Sequence, residues 1–277
     1  MSETKRLKVV TKMLSPQKGK KRSSGKKKRA QKKLRLSPWI PVGIIVAFCL
    51  GVFISWLVNG RDFSSGSPLP EGYSSYCIDL SHHNGEIQWD SLKVLVNQKG
   101  NTTRNFQKAV KIYPVSMAVI KATEGEVLKD DRFEYNWAEA GRIDITRGAY
   151  HFFRSSKDAL RQAENYIASV TLRQSDLPPV LDVETIHKGC TNKVLNDKVL
   201  TWLETVEKHY GVKPIVYTSD SFAREHLSSD VLDNYPLWIA RYNTIPPALK
   251  DWSMWQFTDR ASIYGIRGHV DLSVIKQ

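Results

Sequence analysis

The chain has 277 residues, with 41 Lys+Arg against 28 Asp+Glu and a formal net charge of +13. Fifteen of the bases and a single acid, Glu3, fall in residues 1–37, which leaves 26 bases and 27 acids in a nearly neutral remainder. That distribution excludes a basic nucleic-acid-binding fold. A hydrophobic content of 41% excludes global disorder, and three cysteines are too few for a disulfide-stapled scaffold.

Residues 1–37 carry runs such as Lys26-Lys27-Lys28-Arg29 and little apolar matter. They cannot bury a core and read as a disordered basic tail. Trp39–Val58 follows without one charge. Twenty helical residues span about 30 Å, the thickness of a bilayer core. Trp39 and Trp56 stand near the ends, where aromatic belts sit. Residues 38–59 are thus predicted to be a transmembrane anchor. A cleaved signal peptide is the alternative. Against it stand the long basic region, the long apolar segment and the lack of an A-x-A site. Fifteen bases before the segment and Arg61 alone just after it put the N-terminus in the cytoplasm and the C-terminal body outside. The tail is then a topology signal, with contact to anionic lipid or nucleic acid as a second reading. Residues 60–72, rich in Ser, Gly and Pro, read as a flexible linker. Residues 73–277 make one domain.

Within that domain, apolar runs predict strands at Tyr76–Leu80, Met117–Ala122, Gly148–Phe153, Pro179–Val183, Pro214–Thr218, Leu237–Ala240, Met254–Phe257 and His269–Leu272. A helix is predicted over Lys157–Val170, opened by a capping box at Ser155-x-x-Asp158. Another spans Asn192–Tyr210 and stops at Gly211 with Pro214 beyond. The last three strands leave little room for helices. Alternation of this kind predicts an α/β fold, and about eight strands a barrel. An open doubly wound sheet is the alternative, but no glycine-rich nucleotide motif follows any strand.

Ionisable residues stand where these strands end. Asp79 closes the first, Lys121 and Glu124 the second, and Asp182 and Glu184 the fourth; Asp271 sits in the eighth. Charges inside apolar strands are costly unless paired or opened to a cleft, and a barrel does its chemistry at the C-terminal strand ends. Asp182 and Glu184 are two apart, so they share a strand face with Cα atoms about 6.6 Å apart. Two close carboxyls push one proton affinity up and leave an acid protonated near neutrality. Cleavage of a glycosidic bond needs such a proton donor and a second group acting at the anomeric carbon.

In chain order, Asp79-Leu80-Ser81 with Gly85 and Trp89, Lys121-Ala122-Thr123-Glu124-Gly125, Gly148-Ala149-Tyr150-His151-Phe152 and Leu181-Asp182-Val183-Glu184 resemble family 25 glycoside hydrolases, the Chalaropsis-type lysozymes. Pro214–Thr218, Leu237–Tyr242, Trp255-Gln256 and Gly268-His269-Val270-Asp271 continue the match. The resemblance covers nearly all of residues 76–277. It implies a modified β/α barrel whose last strands lack regular helices. It also implies metal-free hydrolysis of the β-1,4 bond between N-acetylmuramic acid and N-acetylglucosamine, with peptidoglycan strands as the partner. Carried over by motif, Glu184 is the general acid and then base. Asp182 is the second catalytic carboxylate, either attacking directly or orienting the substrate's 2-acetamido group. Asp79 and Asp271 flank the pair. Tyr150 and Gln256 would hydrogen-bond the sugar, and Trp238 and Trp255 would stack on it or fill the core. The expected product retains its configuration. A glycan-binding scaffold on a weak barrel is the alternative, which loss of Asp182 or Glu184 would have favoured.

Two departures stand out. Asn97–Ser116 makes the first connection long and reads as a surface loop with its tip at Lys99–Thr103, and Ser273 stands where the family often has Asn. His82, His83, His151 and His269 lack the spacing of helical zinc motifs, so no metal or cofactor is expected. Cys77 and Cys190 are the one pair in the body, and the sequence leaves open whether they meet. The expected assembly is a monomer on the outer face of the cytoplasmic membrane.

Overall fold

The computed structural model describes residues 65–143, 145–249 and 251–276. The basic tail and the apolar segment Trp39–Val58 lie outside the described residues. Among the described residues no helix is long and apolar enough to cross a membrane.

The strands are β1 (Ser65–Pro68), β2 (Tyr76–Leu80), β3 (Lys93–Asn97), β4 (Asn101–Thr103), β5 (Ala109–Glu124), β6 (Leu128–Lys129), β7 (Thr146–Phe152), β8 (Val180–Asp182), β9 (Ile215–Ser219), β10 (Leu237–Ala240), β11 (Trp252–Ala261) and β12 (Val270–Ile275). The helices are α1 (Phe133–Arg142), α2 (Ala159–Ile167), α3 (Asn192–Tyr210), α4 (Asp220–His226) and α5 (Ser229–Leu232). Strand order runs β5-β2-β12-β11-β10-β9-β8-β7, and β7 pairs back to β5. Eight strands thus close a barrel. Its pairings are parallel except at β12, which is antiparallel to both β11 and β2. The β11–β12 connection, residues 262–269, is too short for a crossover helix but sufficient for an antiparallel return.

Alternation along the strands divides the side chains into two cores. Cys77, Val119, Val180, Ile215, Tyr217, Trp238, Ala240 and Met254 pack together inside the barrel. Their strand neighbours Ile78, Ala118, Ile120, Leu181, Val216, Ile239 and Trp255 face outward and join the larger core under the helices. His151 belongs to that outer layer. It lies fully buried between Thr123 Oγ1 at 2.7 Å and Gln162 Oε1 at 3.2 Å and stacks on Trp202. Burial pushes its pKa down to about 4, so it is neutral at physiological pH.

Three local readings need correction. The presumed linker forms β1, which pairs antiparallel with β4 and is tied to β11 by a hydrogen bond between Ser67 and Thr258. The presumed loop over Asn97–Ser116 contains a hairpin. The chain leaves β3, turns through Gly100 at φ +79, where a side chain would be strained, and returns as β4. A 3₁₀ turn at Phe106–Lys108 then leads into the sixteen-residue β5, whose first half pairs with β3. Helix α2 is capped by Asp158, whose side chain accepts from the Arg161 N–H; Ser155 instead accepts from the His187 N–H. By contrast α3 has the bounds read from the sequence and ends on Gly211 in the left-handed region at φ +72.

Candidate active site

A cavity of 410 Å³ opens at the C-terminal ends of the parallel strands. Asp79, Tyr150, Asp182, Glu184, Trp238 and Asp271 all line it, so six of the eight residues singled out from the sequence converge there. The parallel strands deliver Asp79 near the end of β2 and Asp182 at the end of β8. β12 runs the other way, so Asp271 reaches the same rim from near the start of its strand, directly opposite Asp79 in register.

The remaining two residues lie elsewhere. Trp255 is fully buried in the outer core. Its indole N–H donates to the Arg241 carbonyl at 2.9 Å, and its ring meets Tyr73, Trp252 and Phe257. It cannot stack on a sugar in this cavity, because β11 turns odd-numbered residues outward. Gln256 faces inward but is 1% exposed and sits beneath the cavity floor. Its Nε2 donates to Asp79 Oδ2 at 3.0 Å, and its Oε1 accepts from the Tyr217 hydroxyl at 2.9 Å. It therefore holds two cavity residues instead of meeting the sugar.

Five carboxyls line this small volume, and four of them, Asp79, Asp182, Glu184 and Asp271, have their proton affinity raised. Burial is the first cause for all of them. Asp79 is pushed well above the carboxylate range by burial and then by Asp271, while the Gln256 hydrogen bond opposes the rise. Asp182 is pushed well above it by burial and by Glu184, with Lys121 and Arg154 pulling the other way. Its Oδ1 is buried without a hydrogen-bond partner among the described residues. Glu184 is raised by burial, against the Tyr217 hydroxyl, with Asp271 adding to the rise. Asp271 is raised by burial and by Asp259, against a hydrogen bond from Asp79.

The cavity has a cationic wall that the sequence reading did not assemble. Lys121 Nζ donates to Glu124 Oε2 at 2.6 Å, Arg154 Nε donates to Glu124 Oε1 at 2.9 Å, and both cations lie over the Phe152 ring. Burial acts against it, but these two partners hold Glu124 below its ordinary range. Arg154 carried no strand-end signal because it lies just beyond β7. Tyr217 did carry one. It aligns with Asp182 in the β8–β9 register, and its inward parity places it in the site. Tyr242, 57% exposed, stands at the mouth. Trp238 lines the wall with its indole N–H donated to Ser273 Oγ at 3.0 Å. Ser273 is thus a buried acceptor for that tryptophan. Cys77 and Cys190 are both free thiols.

The sequence of residues 78–266 matches the model of the glycosyl hydrolases family 25. The uncharacterized protein YegX of Escherichia coli K12 is 36% identical over 208 residues, covering 74% of this chain and 71% of its own. Lysozyme M1 of Streptomyces globisporus is 30% identical over 209 residues, covering 70% of this chain and 65% of its own. Among solved structures, a family 25 glycosyl hydrolase from Bacillus anthracis superposes with a TM-score of 0.62 at 27% identity, over 75% of this chain and 91% of that one. The closed barrel, the strand-end cavity and these matches agree that the chain belongs to glycosyl hydrolase family 25 and is a glycoside hydrolase.

Proposed function

We propose that this enzyme hydrolyses the β-1,4 bond between N-acetylmuramic acid and N-acetylglucosamine in peptidoglycan, with retention of configuration. The observation that carries the reading is the convergence of Asp79, Asp182, Glu184 and Asp271 on one cavity, each with a raised proton affinity. The lysozyme relative supports the choice of substrate.

Glu184 is the only one of the four in an exposed position, which suits a group that must reach the glycosidic oxygen. It is the general acid, protonating the leaving oxygen, and afterwards the base that activates water. Asp182 is buried beside it; burial and Glu184 raise its proton affinity, and Lys121 and Arg154 oppose that rise. Asp182 lines the cavity, where a carboxylate oxygen suits an acetamido N–H. In that arrangement the acetamido carbonyl oxygen attacks the anomeric carbon as the bond to the leaving oxygen breaks. Asp182 stabilises the positive charge that develops on the acetamido group. Tyr150 and Trp238 line the sugar site, and Asp79 and Asp271 sit behind it.

The charge asymmetry across Trp39–Val58 supports an anchored enzyme whose catalytic domain acts outside the cytoplasmic membrane. A reporter fused after Gln277 is expected to be active outside the cytoplasm and to stay with the membrane after a salt wash; release as a shorter soluble chain would reject the anchor. The bond cut is tested by digesting peptidoglycan with the full-length chain and analysing the fragments by mass spectrometry. Muropeptides ending in reducing N-acetylmuramic acid are expected, and reducing N-acetylglucosamine would reject the reading.

A further inference from the structure

We infer that Lys121, Glu124 and Arg154 form a carboxylate subsite for the side arm that muramic acid carries on O3. The inference rests on the proposed substrate and on Asp182 holding the 2-acetamido group. It starts from two cations that share a single acid. Lys121 Nζ donates to Glu124 Oε2 at 2.6 Å, and Arg154 donates to Glu124 Oε1 through Nε at 2.9 Å and through Nη2. Among the described residues neither cation is ion-paired with any of the other four carboxyls of the cavity. The wall therefore keeps one positive charge in excess. It also keeps donors. A guanidinium carries five N–H groups, and Arg154 Nη1 has no partner among the described residues. The Arg154 side chain is 44% exposed and lines the cavity, so those N–H groups are open to a ligand there.

The fold holds this wall in place. Buried Gln162 grips the Arg154 backbone twice, accepting from its N–H at 2.8 Å and donating to its carbonyl at 3.1 Å. Both cations lie over the Phe152 ring, Lys121 at 5.1 Å and Arg154 at 4.6 Å from its centre. Phe152 also sets the wall's distance from the sugar. It stands opposite Asp182 in the parallel β7–β8 register, and Glu124 stands opposite Phe152 in the β5–β7 register. Neighbouring strands are about 4.8 Å apart, so the wall begins one strand away from Asp182. C2 and C3 of a pyranose are bonded neighbours. With the C2 acetamido group on Asp182, the arm on C3 comes within a strand's spacing of the wall. In muramic acid that arm is a lactyl ether ending in a carboxyl group; in N-acetylglucosamine it is a hydroxyl. A planar guanidinium matches a carboxylate, whereas a hydroxyl leaves the excess charge unanswered. The carboxylate has two sources. It is the lactyl group itself in a peptide-free strand, or an acidic residue of a stem peptide joined to that group.

The experiment compares kcat/KM of the full-length enzyme on two matched pairs of substrates. One pair is peptide-free glycan strands and the same strands with their lactyl carboxyls converted to methylamides. The other is stem-carrying peptidoglycan and the same material with its stem carboxyls amidated. A charge-assisted contact is worth about 10- to 100-fold, so the charged member of one pair is expected to exceed its neutral partner by that ratio. The pair that shows it identifies the source, lactyl or stem. In Arg154→Gln the ratio is expected to fall to about one, since no excess charge remains. In Glu124→Gln two uncompensated cations remain, and the ratio is expected to rise. Equal rates on charged and neutral partners in the wild type would overturn the subsite. An Arg154→Gln enzyme that is slower but keeps the wild-type ratio would also overturn it, because a role in the fold or in offsetting the cavity's acids slows every substrate alike. If Arg154→Gln does not fold, Glu124→Gln decides alone, and a ratio that stays or falls overturns the subsite. Failure of the wild type to cleave any of the four would reject peptidoglycan as the substrate, a failure distinct from a ratio of one.

Discussion

Replacing Glu184 by Gln keeps the shape of the side chain and its ability to hydrogen-bond Tyr217, and removes its proton chemistry. Glu184 is exposed and lies just past the end of β8, outside the ladder. Removing a carboxyl whose proton affinity is raised on folding does not cost stability at neutral pH, so the melting temperature should not fall. The catalytic cost is of another order. General acid–base help contributes about 100- to 10,000-fold, which corresponds to about 2.7–5.4 kcal/mol of barrier. The remaining cavity residues are unchanged, so KM should change little and kcat should take the loss. The alkaline limb of the wild-type profile should also vanish, because burial and Asp271 place it above the ordinary glutamate range and the amide has nothing to titrate. The assay is the initial rate of reducing-end release from insoluble peptidoglycan, beside a melting curve. A variant that melts with the wild type and works within about tenfold of its rate would refute Glu184 as the acid.

Trp255→Ala should lower Tm by about 6–20 °C, from a core cost of about 3–5 kcal/mol at 2–4 °C per kcal/mol, and leave KM of the folded enzyme unchanged; a raised KM would return Trp255 to the sugar site. Asp79→Asn should be less active but more heat-stable at neutral pH. A carboxyl whose affinity is raised on folding lends its stability below the unfolded pKa, about 3.9, and loses it as pH rises through the folded value. The gain in Tm should therefore close on acidification, and an equal gain at every pH would refute this account. Cleavage should yield the β anomer first, seen by proton NMR, because a double displacement retains configuration. An initial α anomer would point to a water held between Asp182 and Glu184, and a glycosyl ester on Asp182 would replace assistance by direct attack.

The barrel strands were legible because each is an apolar run closed by a polar residue, and the four carboxyls stood out because charge in such runs is costly. Depth and side were legible only in part. Strand parity separates Trp238, which faces inward with Ala240, from Trp255, which faces outward beside inward-facing Met254 and Gln256. Motif matching treated the two tryptophans alike, and the pleat does not. Gln256 has the correct parity but lies beneath the cavity, level with Ser273 in the β11–β12 register. Depth of this kind is set by strand stagger, which no local pattern records. β1 left no trace for another reason. Ser65-Gly66-Ser67-Pro68 has no apolar side chain to bury, and its place is set by backbone pairing with β4 and by the close approach of Gly66 to Thr102 and Ser262. The hairpin over Lys93–Thr103 was hidden by polar residues at its turn, although Val94, Leu95 and Val96 are all buried.

The reversal of the last strand bears directly on the chemistry. In a barrel of eight parallel strands, a residue near the start of a strand lies at the end opposite the active site. Asp271 occupies that position in β12, yet it lines the cavity because β12 runs antiparallel to its neighbours. The same reversal sets Asp271 against Asp79 across the ladder, where it adds to the rise in the proton affinity of Asp79. The short connection over 262–269 therefore does more than save a helix. By returning the chain antiparallel, it brings Asp271 to the rim of the cavity that Asp182 and Glu184 also line.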